Sequence, residues 1–141
     1  MTPDEFIDFI GDTAGKVCAE YNLPASVCIA QAILESGWGN YVRQQTTEYE
    51  NGEYVTIYDK FQSYESLEDA IRDWCVLIAE DYKYSDVIYA WHEHWSVEDF
   101  VYALAPIYAT DPDYASKIMA TINANDLTRF DGWGDETNAE D

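Results

Sequence analysis

Apolar residues recur at helical spacing along most of the chain. Phe6, Ile7, Ile10, Ala14, Val17, Cys18 and Tyr21 fall on one helical face. Thr2-Pro3-Asp4-Glu5 precedes them as a start signal, with Thr2 as cap, Pro3 in the first turn and Glu5 completing a capping box. Asn22-Leu23-Pro24 closes that helix. A second begins near Pro24 and carries Val27, Ile29, Ala30, Ile33 and Leu34. It is apolar over most of its circumference, which predicts a central, buried helix that Gly37 and Gly39 terminate.

The period then changes. Between Thr46 and Phe61 the pattern alternates, with Val55, Ile57 and Phe61 on one face and Tyr54, Thr56 and Tyr58 on the other. Asn51-Gly52 supplies a two-residue turn whose central positions both tolerate positive φ, so a β-hairpin is predicted there. Helical spacing returns after Ser66 and Asp69, with Leu67, Ile71, Trp74, Leu77 and Ile78 on the apolar side. A short helix is expected over Asp86 to Trp91. Another opens at Ser96 with Asp99 and carries Phe100, Val101 and Leu104. A last one opens at Asp111-Pro112 and carries Tyr114, Ile118 and Ile122.

These elements predict an α+β fold, mostly α, in which about five helices form one lobe and a small hairpin leans over it, leaving a cleft. The expected domain spans residues 1–130. Residues 131–141 hold five acids and no base, and are expected to form a flexible tail.

Charge narrows the function. The 141 residues carry 28 acids against 7 bases, a formal net charge of −21. Such a surface repels a phosphate backbone, which excludes direct nucleic-acid tracking and disfavours an anionic membrane surface. No apolar run is long enough to span a bilayer. The first five residues are acidic where a secretory leader would be basic, which predicts a chain that is cytoplasmic as synthesised. A mature domain cut from a precursor would look the same.

Three cysteines without a CxxC pair argue against a disulfide framework or a zinc site, and Cys18 and Cys28 read as core residues. His92 and His94 lie two apart in a region read as helix or loop, so they do not share a face, and surface or packing roles are expected. No metal and no cofactor are expected.

One acid stands apart. Glu35 ends the most apolar helix, beside the indole of Trp38. A carboxyl at the edge of an apolar surface loses solvation, and the helix C-terminus carries negative partial charge. Both favour the protonated form that a general acid must hold.

The run Ser26-Val27-Cys28-Ile29-Ala30-Gln31-Ala32-Ile33-Leu34-Glu35-Ser36-Gly37-Trp38-Gly39 resembles the catalytic helix of glycoside hydrolase family 73, the lysozyme-like, peptidoglycan-cleaving N-acetylglucosaminidases that include the flagellar rod-assembly hydrolases. Two further segments agree. Thr46-Thr47-Glu48-Tyr49-Glu50-Asn51-Gly52 resembles the family's hairpin, and Tyr108-Ala109-Thr110-Asp111-Pro112-Asp113-Tyr114-Ala115-Ser116-Lys117-Ile118 its C-terminal signature. The resemblance spans about residues 5 to 130. It implies Glu35 as general acid, Glu48 as second carboxylate and Tyr108 as an aromatic hydroxyl lining the site. It places Trp38, Tyr49 and Asp111 at the substrate. The implied reaction is hydrolysis of the β-1,4 link after N-acetylglucosamine in a glycan strand. Glu48 would either activate a water or steady the charge while the N-acetyl group assists, two options that carboxylate spacing separates. The protein would then be exported or phage-released to the cell wall.

Two departures leave a second reading open. Only residues 40–45 separate Gly39 from Thr46, where the family carries a longer segment with an Asn-(Leu/Val)-Phe-Gly-(Ile/Val)-Lys motif, so the groove is shortened. Ile107 also stands where the family often has glycine. Together with the charge of −21, this fits a hydrolase fold turned into an acidic, nucleic-acid-mimicking inhibitor of a basic nuclease or defence complex, phage-encoded in the manner of anti-CRISPR proteins.

Overall fold

In a computed structural model of the protein, residues 3–36 and 67–132 are described. The first helix, α1 (Pro3–Glu20), has Asp4 and Glu5 in its first turn, where carboxylates meet the positive end of the helix dipole. Its buried stripe is Ile7, Ile10, Ala14, Val17 and Cys18. Asn22 ends it in the left-handed region at φ 57°. The Asn22 N–H reaches the Ala19 carbonyl at 3.1 Å and the Leu23 N–H the Cys18 carbonyl at 2.9 Å, the paired bonds of a Schellman cap.

Helix α2 (Ala25–Ser36) follows after four residues. Every residue from Ala25 to Gln31 is buried, as expected of a central helix. α2 packs on α1 and on two elements from the far end of the chain. These are α6 (Tyr114–Asn125) and the 3-10 turn Leu127–Phe130.

Between them run α3 (Leu67–Glu80), the 3-10 turn Tyr82–Tyr84, α4 (Ser85–His94) and α5 (Val97–Tyr108). α3 packs on α1, and α5 lies against both α4 and α6. Trp91 of α4 is fully buried, donates its indole N–H to the Asn22 carbonyl at 2.6 Å and meets Phe100 edge-on. The described residues thus build a helical lobe of six α-helices. The hairpin expected over Thr46–Phe61 lies outside them. No described helix is long and apolar enough to cross a membrane.

Several boundaries differ from the sequence reading. α4 runs Ser85–His94, longer than Asp86–Trp91, and stops where Trp95 turns left-handed at φ 52°. Ser96 caps α5 as expected, its hydroxyl accepting from the Asp99 N–H at 3.1 Å. α6 begins at Tyr114 instead of Asp111-Pro112, because Asp111 is spent on the preceding turn. Leu77 is exposed: the core-facing stripe of α3 is Ile71, Cys75 and Ile78.

Asp131, placed at the start of the expected acidic tail, is a structural residue. It is 6% exposed, and its two carboxylate oxygens accept from the backbone N–H and the hydroxyl of Ser26, both at 2.8 Å. The first turn of α2 has unpaired N–H groups, and Asp131 supplies the acceptor from 105 residues away. Phe130 prepares that approach by lying on the glycine face of α1. A Cβ at Gly11 would overlap the Phe130 ring, and one at Gly15 would stand 3.0 Å from the Phe130 carbonyl oxygen.

All three cysteines are free and buried. They come from different helices, and the sulfurs of Cys18 and Cys75 approach to 3.6 Å. Contact with Cys28 and Cys75, and then burial, push the Cys18 thiol well above its ordinary range.

Candidate active site

Glu35 and Gln31 are one turn apart on α2 and share a face. That face meets the start of α6 and one side of α3. Gln31 is 2% exposed, the one amide in an otherwise apolar run, whereas Glu35 is exposed at the helix end. The second wall comes from the Tyr108–Tyr114 segment. Asp111 shapes it: one carboxylate oxygen accepts from the Asp113 N–H at 2.8 Å, the other pairs with Lys117 at 2.6 Å, and its carbonyl accepts from the Tyr114 N–H at 3.1 Å. The bond to Lys117, then that to the Asp113 amide, holds the Asp111 carboxyl below the usual range. Tyr108, ending α5, and Tyr114, opening α6, are brought into a parallel stack with centroids 6.0 Å apart and planes 6° apart.

Tyr114, 5% exposed, gives its hydroxyl hydrogen to Oε2 of Glu35 at 2.7 Å. Its oxygen accepts from Nε2 of Gln31 at 3.2 Å. Oε1 of Gln31 in turn accepts the indole N–H of Trp74, from α3, at 2.8 Å. Burial above all pushes the Tyr114 hydroxyl well up; the bond from Gln31 pulls the other way, and the bond and charge of Glu35 then add to the rise. Tyr108 is pushed up to about 12, by burial first and then by the negative charge of Glu35, with Tyr84 and Cys28 adding to it. Both hydroxyls therefore keep their protons at neutral pH.

The structure brings Glu35 and the Tyr108 segment together, but the hydroxyl on Glu35 is that of Tyr114. The apolar seclusion expected for Glu35 is also not what holds it: the carboxylate is exposed and oriented by a hydrogen bond. Asp111 serves the turn that launches Tyr114. Trp38, Glu48 and Tyr49 lie outside the described residues. Sequence reading missed Tyr114, Gln31 and Trp74 as site residues. Gln31 left a signal, a lone amide inside an apolar helix one turn before an acid. Trp74 left none, because it reads as one more apolar position of α3. His92 stacks on Trp95, and His94 pairs with Asp99 at 2.9 Å, so each has a surface role. Among the described residues no three His, Cys, Asp or Glu side chains converge to hold a metal.

The helical lobe has a counterpart among solved structures. The solved catalytic domain of the autolysin Auto from Listeria monocytogenes matches it with a TM-score of 0.68 at 26% identity, covering 93% of this chain and 90% of that one. Among curated proteins, the exo-glucosaminidase LytG of Bacillus subtilis is 32% identical over 89% of this chain and 52% of its own length. The peptidoglycan hydrolase FlgJ of Salmonella typhimurium is 32% identical over 84% of this chain and 45% of its own. The chain thus spans about half the length of these curated relatives. The family model described as mannosyl-glycoprotein endo-beta-N-acetylglucosaminidase matches residues 11–127. The chain belongs to this glucosaminidase family, in agreement with the resemblance read from its three segments.

Proposed function

We propose that this protein is a peptidoglycan hydrolase of the endo-beta-N-acetylglucosaminidase type, cleaving the β-1,4 link of glycan strands with Glu35 as general acid. The observation that carries the reading is the hydrogen bond from Tyr114 to Oε2 of Glu35. It leaves the other oxygen, Oε1, to carry the proton. Once that proton passes to the departing glycosidic oxygen, the Tyr114 hydroxyl faces a full negative charge, and a hydrogen bond to a charged acceptor is the stronger kind. The donor thus stabilises charge as it develops in the transition state. Glu48 is the second carboxylate, activating water or supporting assistance by the N-acetyl group. Tyr108, Trp38 and Tyr49 line the glycan path, and no cofactor enters the reaction.

The family membership and the names of the matched relatives support peptidoglycan as substrate. The rival reading of an acidic inhibitor gains no such support, and several of the carboxylates it would need are engaged within the protein. Glu20 and Glu68 pair with Arg72, and Asp111 with Lys117. The site of action is then the cell wall, reached by export or by phage release.

The test is release of reducing sugar ends from purified peptidoglycan, with Glu35→Gln alongside. Release by the natural chain and none by the variant is expected. No release by the natural chain, across a range of pH and salt, overturns the reading.

A further inference from the structure

We propose that Gln31 and Trp74 are positioning residues that fix the direction of the hydrogen bond from Tyr114 to Glu35; this rests on the hydrolase reading above. A tyrosine hydroxyl can donate or accept, and an amide can present either its oxygen or its nitrogen. Two such ambidextrous groups in series would leave the bond to Glu35 undirected. Trp74 removes the ambiguity. An indole N–H is donor only, so the Gln31 atom 2.8 Å from it must be the oxygen. The Gln31 nitrogen is then turned to Tyr114, 3.2 Å away. Because that nitrogen can only donate, the Tyr114 oxygen must accept from it, and the tyrosine's own hydrogen is left for Oε2 of Glu35 at 2.7 Å. The direction of three bonds follows from one indole on α3.

Burial makes the arrangement binding. Gln31 and Tyr114 are 2% and 5% exposed, so water does not stand in for a lost partner. If Gln31 turned over, its oxygen would compete with Glu35 for the tyrosine hydrogen, and the carboxylate would lose its donor at the moment its charge appears. Trp74 touches neither Glu35 nor Tyr114 through these bonds and acts only by holding the amide.

The experiment compares Trp74→Phe, Gln31→Met, Tyr114→Phe and the double variant Trp74→Phe/Tyr114→Phe, each checked for an unchanged far-UV spectrum. The full chain is assayed on soluble glycan oligomers with kcat and KM measured separately. Trp74→Phe keeps a ring and removes the donor. It is expected to lower kcat about five- to tenfold, the size of one lost oriented hydrogen bond, with KM within about twofold. Gln31→Met fills the space without a donor or acceptor and is expected to do the same, which serves if Trp74→Phe does not fold. The double variant is expected to match Tyr114→Phe alone, since Trp74 acts only through that hydroxyl. A natural chain that is active beside an unaffected Trp74→Phe, or losses that multiply in the double variant, overturns this inference and leaves the hydrolase reading standing. A natural chain that leaves the glycan intact overturns both.

Discussion

Tyr114 donates its hydroxyl hydrogen to Glu35 across a sequence separation of 79 residues, at 2.7 Å. Tyr108, stacked on the same ring, contributes a face and not that bond. The two tyrosines of the C-terminal signature therefore have separable roles. Tyr114→Phe is expected to cut kcat about 10- to 100-fold, the worth of a charge-assisted hydrogen bond expressed as a rate. Tyr108→Phe keeps the stack and is expected to cost less. Steady-state kinetics of the two variants on one substrate would check the order, and an equal or larger loss at Tyr108 would refute it.

Asp131 offers a prediction about folding. Its carboxylate closes two buried bonds at the head of α2, the helix that carries Glu35 at its other end. Asp131→Ala leaves the Ser26 N–H and hydroxyl without that acceptor, and is expected to cost about 3 kcal/mol. Asp131→Asn keeps an acceptor without the charge and is expected to cost about half as much. Urea unfolding monitored by circular dichroism measures both. An unchanged midpoint in Asp131→Ala would show that these bonds contribute nothing net.

Much of this helical body was legible in the residues, and the failures have physical causes. The unbroken burial of α2 from Ala25 to Gln31 follows from a stretch whose only polar positions are Ser26 and Gln31, so that its apolar sides all need covering. The cap at Ser96 is a local event and could be read locally. Asp131 could not, because its partner lies 105 residues away, and a lone acid at the head of an acidic run looks like more tail. The three cysteines show no spacing signal because each belongs to a different helix. In the signature segment, the family resemblance put Tyr108 at the site, whereas periodicity read Tyr114 only as an apolar position of the last helix. Which hydroxyl met the carboxylate depended on where α6 begins, and helix boundaries are the weakest part of any pattern reading. Reading the start at Asp111-Pro112 instead of Tyr114 hid that answer.

Gly11 tests the contact that brings Asp131 into place. Alanine is ordinarily the better helix former by about 1 kcal/mol, yet a Cβ here meets the Phe130 ring. Gly11→Ala is therefore expected to destabilise the natural chain, by about 1–2 kcal/mol. In a Phe130→Ala background the obstruction is gone, and the same change is expected to stabilise by about 1 kcal/mol. The double-mutant cycle in urea reads the reversal of sign. Gly11→Ala stabilising both backgrounds would mean that the ring moves aside without cost.

The buried tyrosines predict an alkaline transition. Tyr108 is pushed up to about 12, and Tyr84 and Tyr114 are also raised, in each case by burial first. An unfolded chain loses these protons near pH 10. Because the folded values lie above the unfolded one, the folded state binds more protons between the two. The stability this linkage contributes is complete below about pH 10 and is lost as pH rises toward and through 12. Absorbance of the tyrosinate ion is expected to show a late stage from Tyr84, Tyr108 and Tyr114, with helix content falling along with it. Tyr108→Phe removes one of the late groups and is expected to make the alkaline loss of helix shallower. A single titration centred on pH 10, with helices intact beyond it, would mean that these hydroxyls are open to solvent and that the wall beside Glu35 is not packed.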